Sequence, residues 1–205
     1  MIRRPHASEA GQCSALLYLS GPPVFDYFFA SAEPDVCRYL SMFFNKPDTA
    51  FSREYIWVEE NDGAIRGVLL ALPGSDKTRL ERNMGAHGRE LVRMAGFFRS
   101  MRMLLHGRLG KYLAVIDADE YYIGNLAVRA EHRGMGVGPA LLRKAEELAG
   151  EQGYRKLSLL VEVNNRHARH VYDAFGFSTV RELMLPQRYN RYGLIGFYKV
   201  VKALS

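Results

Sequence analysis

The sequence predicts a mixed α/β domain, and three stretches carry the prediction. In the first, the strand-like run Tyr122-Ile123-Gly124-Asn125-Leu126-Ala127-Val128 passes through a charged connector into Arg133-Gly134-Met135-Gly136-Val137-Gly138, then into a helix-forming run from Ala140 to Ala149. The second is a pair of apolar runs, Tyr55 to Glu60 and Ala64 to Leu72, on either side of Asn61-Asp62-Gly63, which reads as a hairpin with a tight glycine turn. In the third, Leu157 to Val163 reads as a strand, and a helix from His167 to Phe175 follows and stops at Gly176.

The glycine loop has a definite chemistry. Alternate residues without side chains let successive backbone N–H groups converge, and Pro139 stands where a first helical residue belongs. A helix start of this kind attracts anions, and Arg133 adds a full positive charge. Phosphate is therefore the expected guest. A Walker-type loop needs Lys-Ser/Thr after its last glycine, whereas this one runs Gly138-Pro139-Ala140. The dinucleotide fingerprint wants Gly-x-Gly-x-x-Gly directly after its strand, and here the spacing is Gly-x-Gly-x-Gly with charged residues between.

Arg133-x-x-Gly136-x-Gly138, after a strand ending in Ala127-Val128, resembles the acetyl-CoA-binding motif of the GNAT superfamily of N-acetyltransferases. A second block, Asn165-x-x-Ala168-x-x-x-Tyr172-x-x-x-Gly176-Phe177, resembles that family's downstream motif in the expected order. The resemblance covers about Leu113 to Val201 well and the N-terminal half by pattern only. It implies the acyl-CoA N-acyltransferase fold: a twisted, mostly antiparallel mixed sheet flanked by helices, with a basic helical insert here between the third and fourth strands. It also implies a transferase moving acetyl from acetyl-CoA to a primary amine by direct attack in a ternary complex, without a metal. The alternative is a non-catalytic acyl-CoA-binding or sensing module, which would keep the loop and dispense with Tyr172.

Residue roles follow from the same resemblance. Cofactor contacts are expected from Leu126, Ala127, Val128, Arg133, Gly134, Met135, Gly136, Val137, Gly138, Asn165, Ala168 and Tyr172. The fourth and fifth strands should splay to admit the pantetheine arm, with the Leu126 N–H polarising the thioester carbonyl. A Tyr172 phenol can donate its proton to the departing sulfur. For the base, Glu120 at the start of the fourth strand and Glu162 on the fifth are both candidates, and ordered water is a third. Asn165 is either a pantetheine ligand or a turn residue. His132, His167 and His170 lack metal-ligand spacing.

The elements before that core read as follows. Ile2-Arg3-Arg4 suits a short first strand, and Ser8 is the expected N-cap of a helix from Glu9 to Leu19, stopped by Gly21-Pro22-Pro23. Val24 to Phe29 and Val36 to Phe44 are aromatic at helical spacing; in the family such helices wall the acceptor side, so these aromatics are either core, the commoner fate, or acceptor pocket. Between Pro73 and Tyr112, Leu91, Met94, Phe98, Met101 and Leu105 recur at three or four, placing them on one helical stripe, with Arg93, Arg99, Arg102 and Arg108 among and just beyond them. That insert, about 74–111, reads as a packed helix with a solvated basic face, as an acceptor-site lid, or as a membrane or nucleic-acid surface. Ser178 to Leu185 and Gly193 to Val200 should form a closing hairpin with a Tyr/Arg-rich tip.

At 205 residues and 48% hydrophobic, the chain suits one domain, 1–205. No run of about 20 apolar residues and no signal-peptide pattern is present, so a cytoplasmic protein is expected. Cys13 and Cys37 read as free thiols far from the motifs. The net charge of +6 permits nucleic-acid binding, but its concentration in one internal segment and the polyanionic cofactor argue against it. The amine stays open between protein α-amine, lysine and small molecule, with polycations disfavoured by the basic insert. Family members often form homodimers.

Overall fold

The computed structural model describes residues 1–204. In chain order the elements are β1 (Ile2–Arg3), α1 (Ala10–Leu19), α2 (Pro22–Phe29), α3 (Glu33–Phe44), β2 (Ile56–Asn61), β3 (Ala64–Pro73), α4 (Gly74–Met84), α5 (Gly88–Ala95), α6 (Phe97–His106) and α7 (Gly110–Leu113). β4 (Tyr121–Val128), α8 (Val137–Glu151), β5 (Lys156–Glu162), α9 (Arg166–Ala174), β6 (Ser178–Met184) and β7 (Gly196–Ala203) complete it. The strands make one sheet in the order β1-β2-β3-β4-β5-β7-β6. Only β4 and β5 run parallel; the other neighbours are antiparallel. This is the GNAT architecture that the motifs imply.

Alternation along the strands sorts side chains to two faces. On one face Val58, Val68, Leu70 and Leu72 pack with α1, α2 and α3; on the other Leu69, Ala71, Ile123, Leu157 and Leu159 pack with α8 and α9. A third, smaller apolar cluster joins Tyr27, Leu109, Tyr189 and Phe197, tying the end of the insert to α2 and to the turn between β6 and β7.

Four local expectations change. Ser8 does not cap α1: it lies in a 3-10 turn over Ala7–Glu9, where the Glu9 carboxylate accepts from the His6 N–H at 2.7 Å, so capping starts two residues earlier. Gly21-Pro22-Pro23 does end α1, but the prolines also open α2, because a first helical turn has no use for the missing N–H. Pro139 is the third residue of α8 rather than the first, since Gly136 is its cap. The single stripe of the insert is broken at Gly96, whose φ of +80° ends α5 and redirects the chain into α6. Leu91 and Met94 consequently pack on the core, whereas Phe98, Met101 and Leu105 face solvent.

The insert leaves β3 through Gly74, whose N–H donates to the Glu120 carbonyl at 2.8 Å. A Cβ there would lie 2.2 Å from the Asp117 carbonyl oxygen and 2.8 Å from that of Glu120. Neither oxygen is on a movable side chain. Gly74→Ala therefore separates the start of the insert from the entry to β4 and is expected to cost about 2–3 kcal/mol. The check is a lowered urea midpoint with an unchanged slope.

Candidate functional site

The site starts where the sheet comes apart. β4 and β5 pair only through Tyr121, Ile123 and the residue between them, opposite Leu157 to Leu159. Beyond that the pairing of β4 with β3 continues to Val128, while β5 continues against β7 to Glu162. The two strands thus diverge with a free edge on each. Gly124 marks the point, because Leu70 pairs with Asn125 and Ala71 with Ile123, leaving Gly124 as the extra residue of a bulge.

Strand polarity decides which backbone groups face the gap. The Arg129 N–H donates to Arg66 of β3 at 2.9 Å, so by the two-residue period Ala127 also points its amide at β3. Leu126 and Val128 then direct their N–H and C=O groups the other way, to the edge that β5 has left. Arg133 Nε reaches the Val128 carbonyl from that side at 3.4 Å.

The glycine loop closes this end of the gap. Gly134 and Gly136 have φ of +77° and +79°, a region that L-side chains enter at a cost, and a Cβ at either would meet nothing within 4 Å. The glycines serve the backbone turn rather than a tight internal contact. Among the described residues, the N–H groups of 134–138 have no acceptor in the chain, and the first bond of α8 runs from Ala140 to the Gly136 carbonyl. Arg133, Gly134, Met135 and Gly136 are exposed around these amides, and Val137 is buried as the anchor. Unpaired amides, a helix start and an exposed guanidinium fit a phosphate.

Tyr172 comes from α9, with its ring edge-on to Phe177 at 5.8 Å. Burial pushes its phenol up to about 12. Tyr122, on β4 beside the gap, is raised as well, first by burial and then by the charges of Glu81 and Tyr172. Asn165 caps α9: its Oδ1 accepts from the Ala168 N–H at 3.0 Å, which leaves only its NH2 group free to meet a ligand. Ala168 packs on the second core, and Arg169 lies over the Tyr198 ring at 4.3 Å.

The two candidate carboxylates have different surroundings. Glu120 is buried and bound to Lys199 Nζ at 2.7 Å, and its second oxygen accepts from the Asp117 N–H at 3.2 Å. It precedes Leu126 by six residues of strand, about 20 Å. Glu162 stands at the gap end of β5, and its Oε1 is buried without a hydrogen-bond partner. Burial raises its pKa. A Cβ on Gly21 would lie 3.7 Å from that oxygen, and Ser20, the preceding residue, accepts from Asn125 Nδ2 at 2.7 Å. The turn between α1 and α2 therefore crosses the gap from Asn125 on one strand to Glu162 on the other.

Sequence reasoning missed Tyr122, Asn125, Ser20 and Lys199. A polar Asn and a Gly side by side inside an apolar strand were a legible signal for Asn125, as was a lysine between Tyr198 and Val200. Ser20 carried no signal.

Residues 26–177 match the sequence model described as the Acetyltransferase (GNAT) family. A Bacillus subtilis (strain 168) protein, named provisionally as a ribosomal protein bS18-alanine N-acetyltransferase, is 41% identical over 71 residues, which is 34% of this chain and 47% of that one. A Mus musculus protein, named provisionally as N-acetyltransferase family 8 member 5, is 24% identical over 162 residues, 79% of this chain and 52% of that one. The chain thus spans about half the length of these curated relatives. The crystal structure of an N-acetyltransferase from Staphylococcus aureus Mu50 superposes with a TM-score of 0.71 at 20% identity, covering 98% of this chain and 99% of that one, a likeness of fold. With the family match running from α2 to the turn after α9, the chain belongs to the GNAT acetyltransferase family, whose members are acetyl-CoA-dependent N-acetyltransferases.

Proposed function

We propose that the chain acetylates a primary amine by direct attack on acetyl-CoA in a ternary complex. The observation that carries this reading is the separation of β4 from β5 beside a helix start with unpaired amides. Acetyl-CoA supplies a thioester, and every other part of the chemistry falls to side chains and backbone of this protein. The amides of 134–138 and Arg133 hold the pyrophosphate. The free edge of β4 at Leu126 and Val128 and the Asn165 NH2 group hold the arm, and the Leu126 N–H donates to the carbonyl oxygen as charge develops there. Tyr172 delivers its proton to the departing sulfur. Between the two carboxylates, Glu162 is the better proton acceptor, because it ends β5 with a buried Oε1 that has no partner while Glu120 is committed to Lys199.

Titration calorimetry with acetyl-CoA, followed by thiol release against a panel of amines and N-terminal peptides, tests the whole reading. Binding with amine-dependent release supports it; no binding, or binding without release from any amine, overturns it.

Glu162→Gln gives a prediction of opposite sign in stability and rate. The folded pKa lies above the unfolded one, so the native state binds more protons and the charged carboxylate destabilises it at neutral pH. The amide removes that penalty, and Tm at pH 7 should rise by roughly 2–4 °C. The gain should vanish below about pH 4, where Glu162 is protonated in both states. Turnover should fall on the order of tenfold, since water takes the proton less well.

A further inference from the structure

α6 is a surface helix with its wider apolar face outward. Phe97, Phe98, Met101, Leu104 and Leu105 lie on one side at helical spacing, and Phe98 is 84% and Leu104 74% exposed. The opposite side is already used. Arg99 bonds Asp35 on α3 at 2.5 Å, Met103 packs on the first core, and His106 stacks on Tyr27 of α2 at 4.2 Å. The helix is thus held firmly with its apolar face away from the domain, so no closure over the acceptor side would cover it.

Charge identifies what does. Gly74 to Leu113 holds nine Lys/Arg against three Asp/Glu, which accounts for all of the chain's net +6 and leaves the remainder balanced. No acidic residue occurs from Leu91 to Ile116. Arg102 on α6, Arg93 on the preceding α5, and Arg108 and Lys111 just after α6 are exposed and make no ion pair among the described residues. We infer that α6 and its flanking arginines form a peripheral docking face for an anionic lipid surface. Phenylalanine, leucine and methionine side chains enter the acyl boundary while the arginines meet the phosphates. A second copy is the poorer occupant, because a two-fold contact through this face would press two uncompensated arginine clusters together. Nucleic acid would satisfy the arginines and leave the apolar row in water. No helix among the described residues is long and apolar enough to cross a membrane, and α6 itself would lie in the interface plane.

Flotation with vesicles of phosphatidylcholine alone, and with about 30% phosphatidylglycerol added, tests this at about 0.05 M and 0.5 M salt. The expected result is at least about tenfold more protein on the anionic vesicles at low salt. Phe98→Ser with Leu104→Ser should lose about tenfold of that binding. Arg93→Gln with Arg102→Gln and Arg108→Gln should also lose it and flatten the salt dependence. Both variants alter exposed side chains, and unchanged thermal melts and acetyl-CoA affinity establish that they fold. Equal flotation on both vesicle types, none on either, or an apolar variant that floats like the parent overturns the inference. So does a sedimentation-velocity dimer that the apolar variant dissolves, which would give the face to a second copy.

Discussion

Replacing Tyr172 with Phe is expected to lower kcat by about 10²- to 10³-fold while the acetyl-CoA dissociation constant stays within about twofold. The substitution removes one hydroxyl and keeps the ring that packs against Phe177, so stability should change by less than about 1 kcal/mol. A loss of turnover can then be assigned to the missing proton donor rather than to a collapsed site. The pH dependence sharpens the test. Burial pushes the phenol up to about 12, so the acid form is complete across the working range. The parent's rate profile should show no falling limb from this group below about pH 11. In the variant the profile should keep its shape and drop uniformly. Unchanged kcat would remove the acid role, and weakened acetyl-CoA binding would make Tyr172 a structural wall of the gap.

Lys199→Met should cost about 3–5 kcal/mol of stability, because it leaves the Glu120 carboxylate charged and buried without its partner. The pair is deeply placed, with side chains 6% and 3% exposed and 2.7 Å apart. The second contact of Lys199, to Asp117 at 2.8 Å, reaches a carboxylate that is 70% exposed and adds little. Burial pulls the Lys199 pKa down, but the hydrogen bonds that its ammonium donates to Asp117 and Glu120 outweigh it and the net shift is upward. A raised folded pKa means that the lysine's contribution is complete below its unfolded value, about 10.4, and is lost as pH rises through the folded one. Asp117 is lowered by Lys199, so its smaller share is lost only as pH falls through its depressed value. Urea midpoints of the parent should therefore decline at the alkaline end, and those of the variant should lack that decline. Glu120→Gln separates the structural role from catalysis: destabilisation with near-parent kcat in the folded fraction supports the ion-pair assignment, and a large kcat loss without destabilisation returns the base to Glu120.

The alternation of apolar residues and the turn glycines made β2, β3, β5 and α9 legible to within a residue or two, since those signals are local. The glycine loop was equally plain, because a backbone turn at positive φ leaves its mark as missing side chains at Gly134 and Gly136. Helix boundaries near prolines were misplaced: Pro22 and Pro139 can occupy any position of a first turn that lacks an acceptor, so the residue alone cannot say which. The break at Gly96 was harder still. Periodicity runs through it from Leu91 to Leu105, and only its positive φ turns half of the stripe outward.

Glu120 and Glu162 show where local reading ends. Glu120 ends the acidic run Asp117-Ala118-Asp119-Glu120 and Glu162 stands between two valines, but neither setting says which carboxylate is neutralised. Their fates depend on residues far along the chain: Lys199 neutralises Glu120 from β7, while the turn at Ser20 and Gly21 seals Glu162 beside the gap. The sequence by itself determined the family, the order of strands and helices and the glycine loop, because periodicity and backbone chemistry are written in consecutive residues. The tertiary structure decided which carboxylate is spent in an ion pair, where β4 and β5 part, and which face of α6 meets water, because charge pairing and burial are set by neighbours in space.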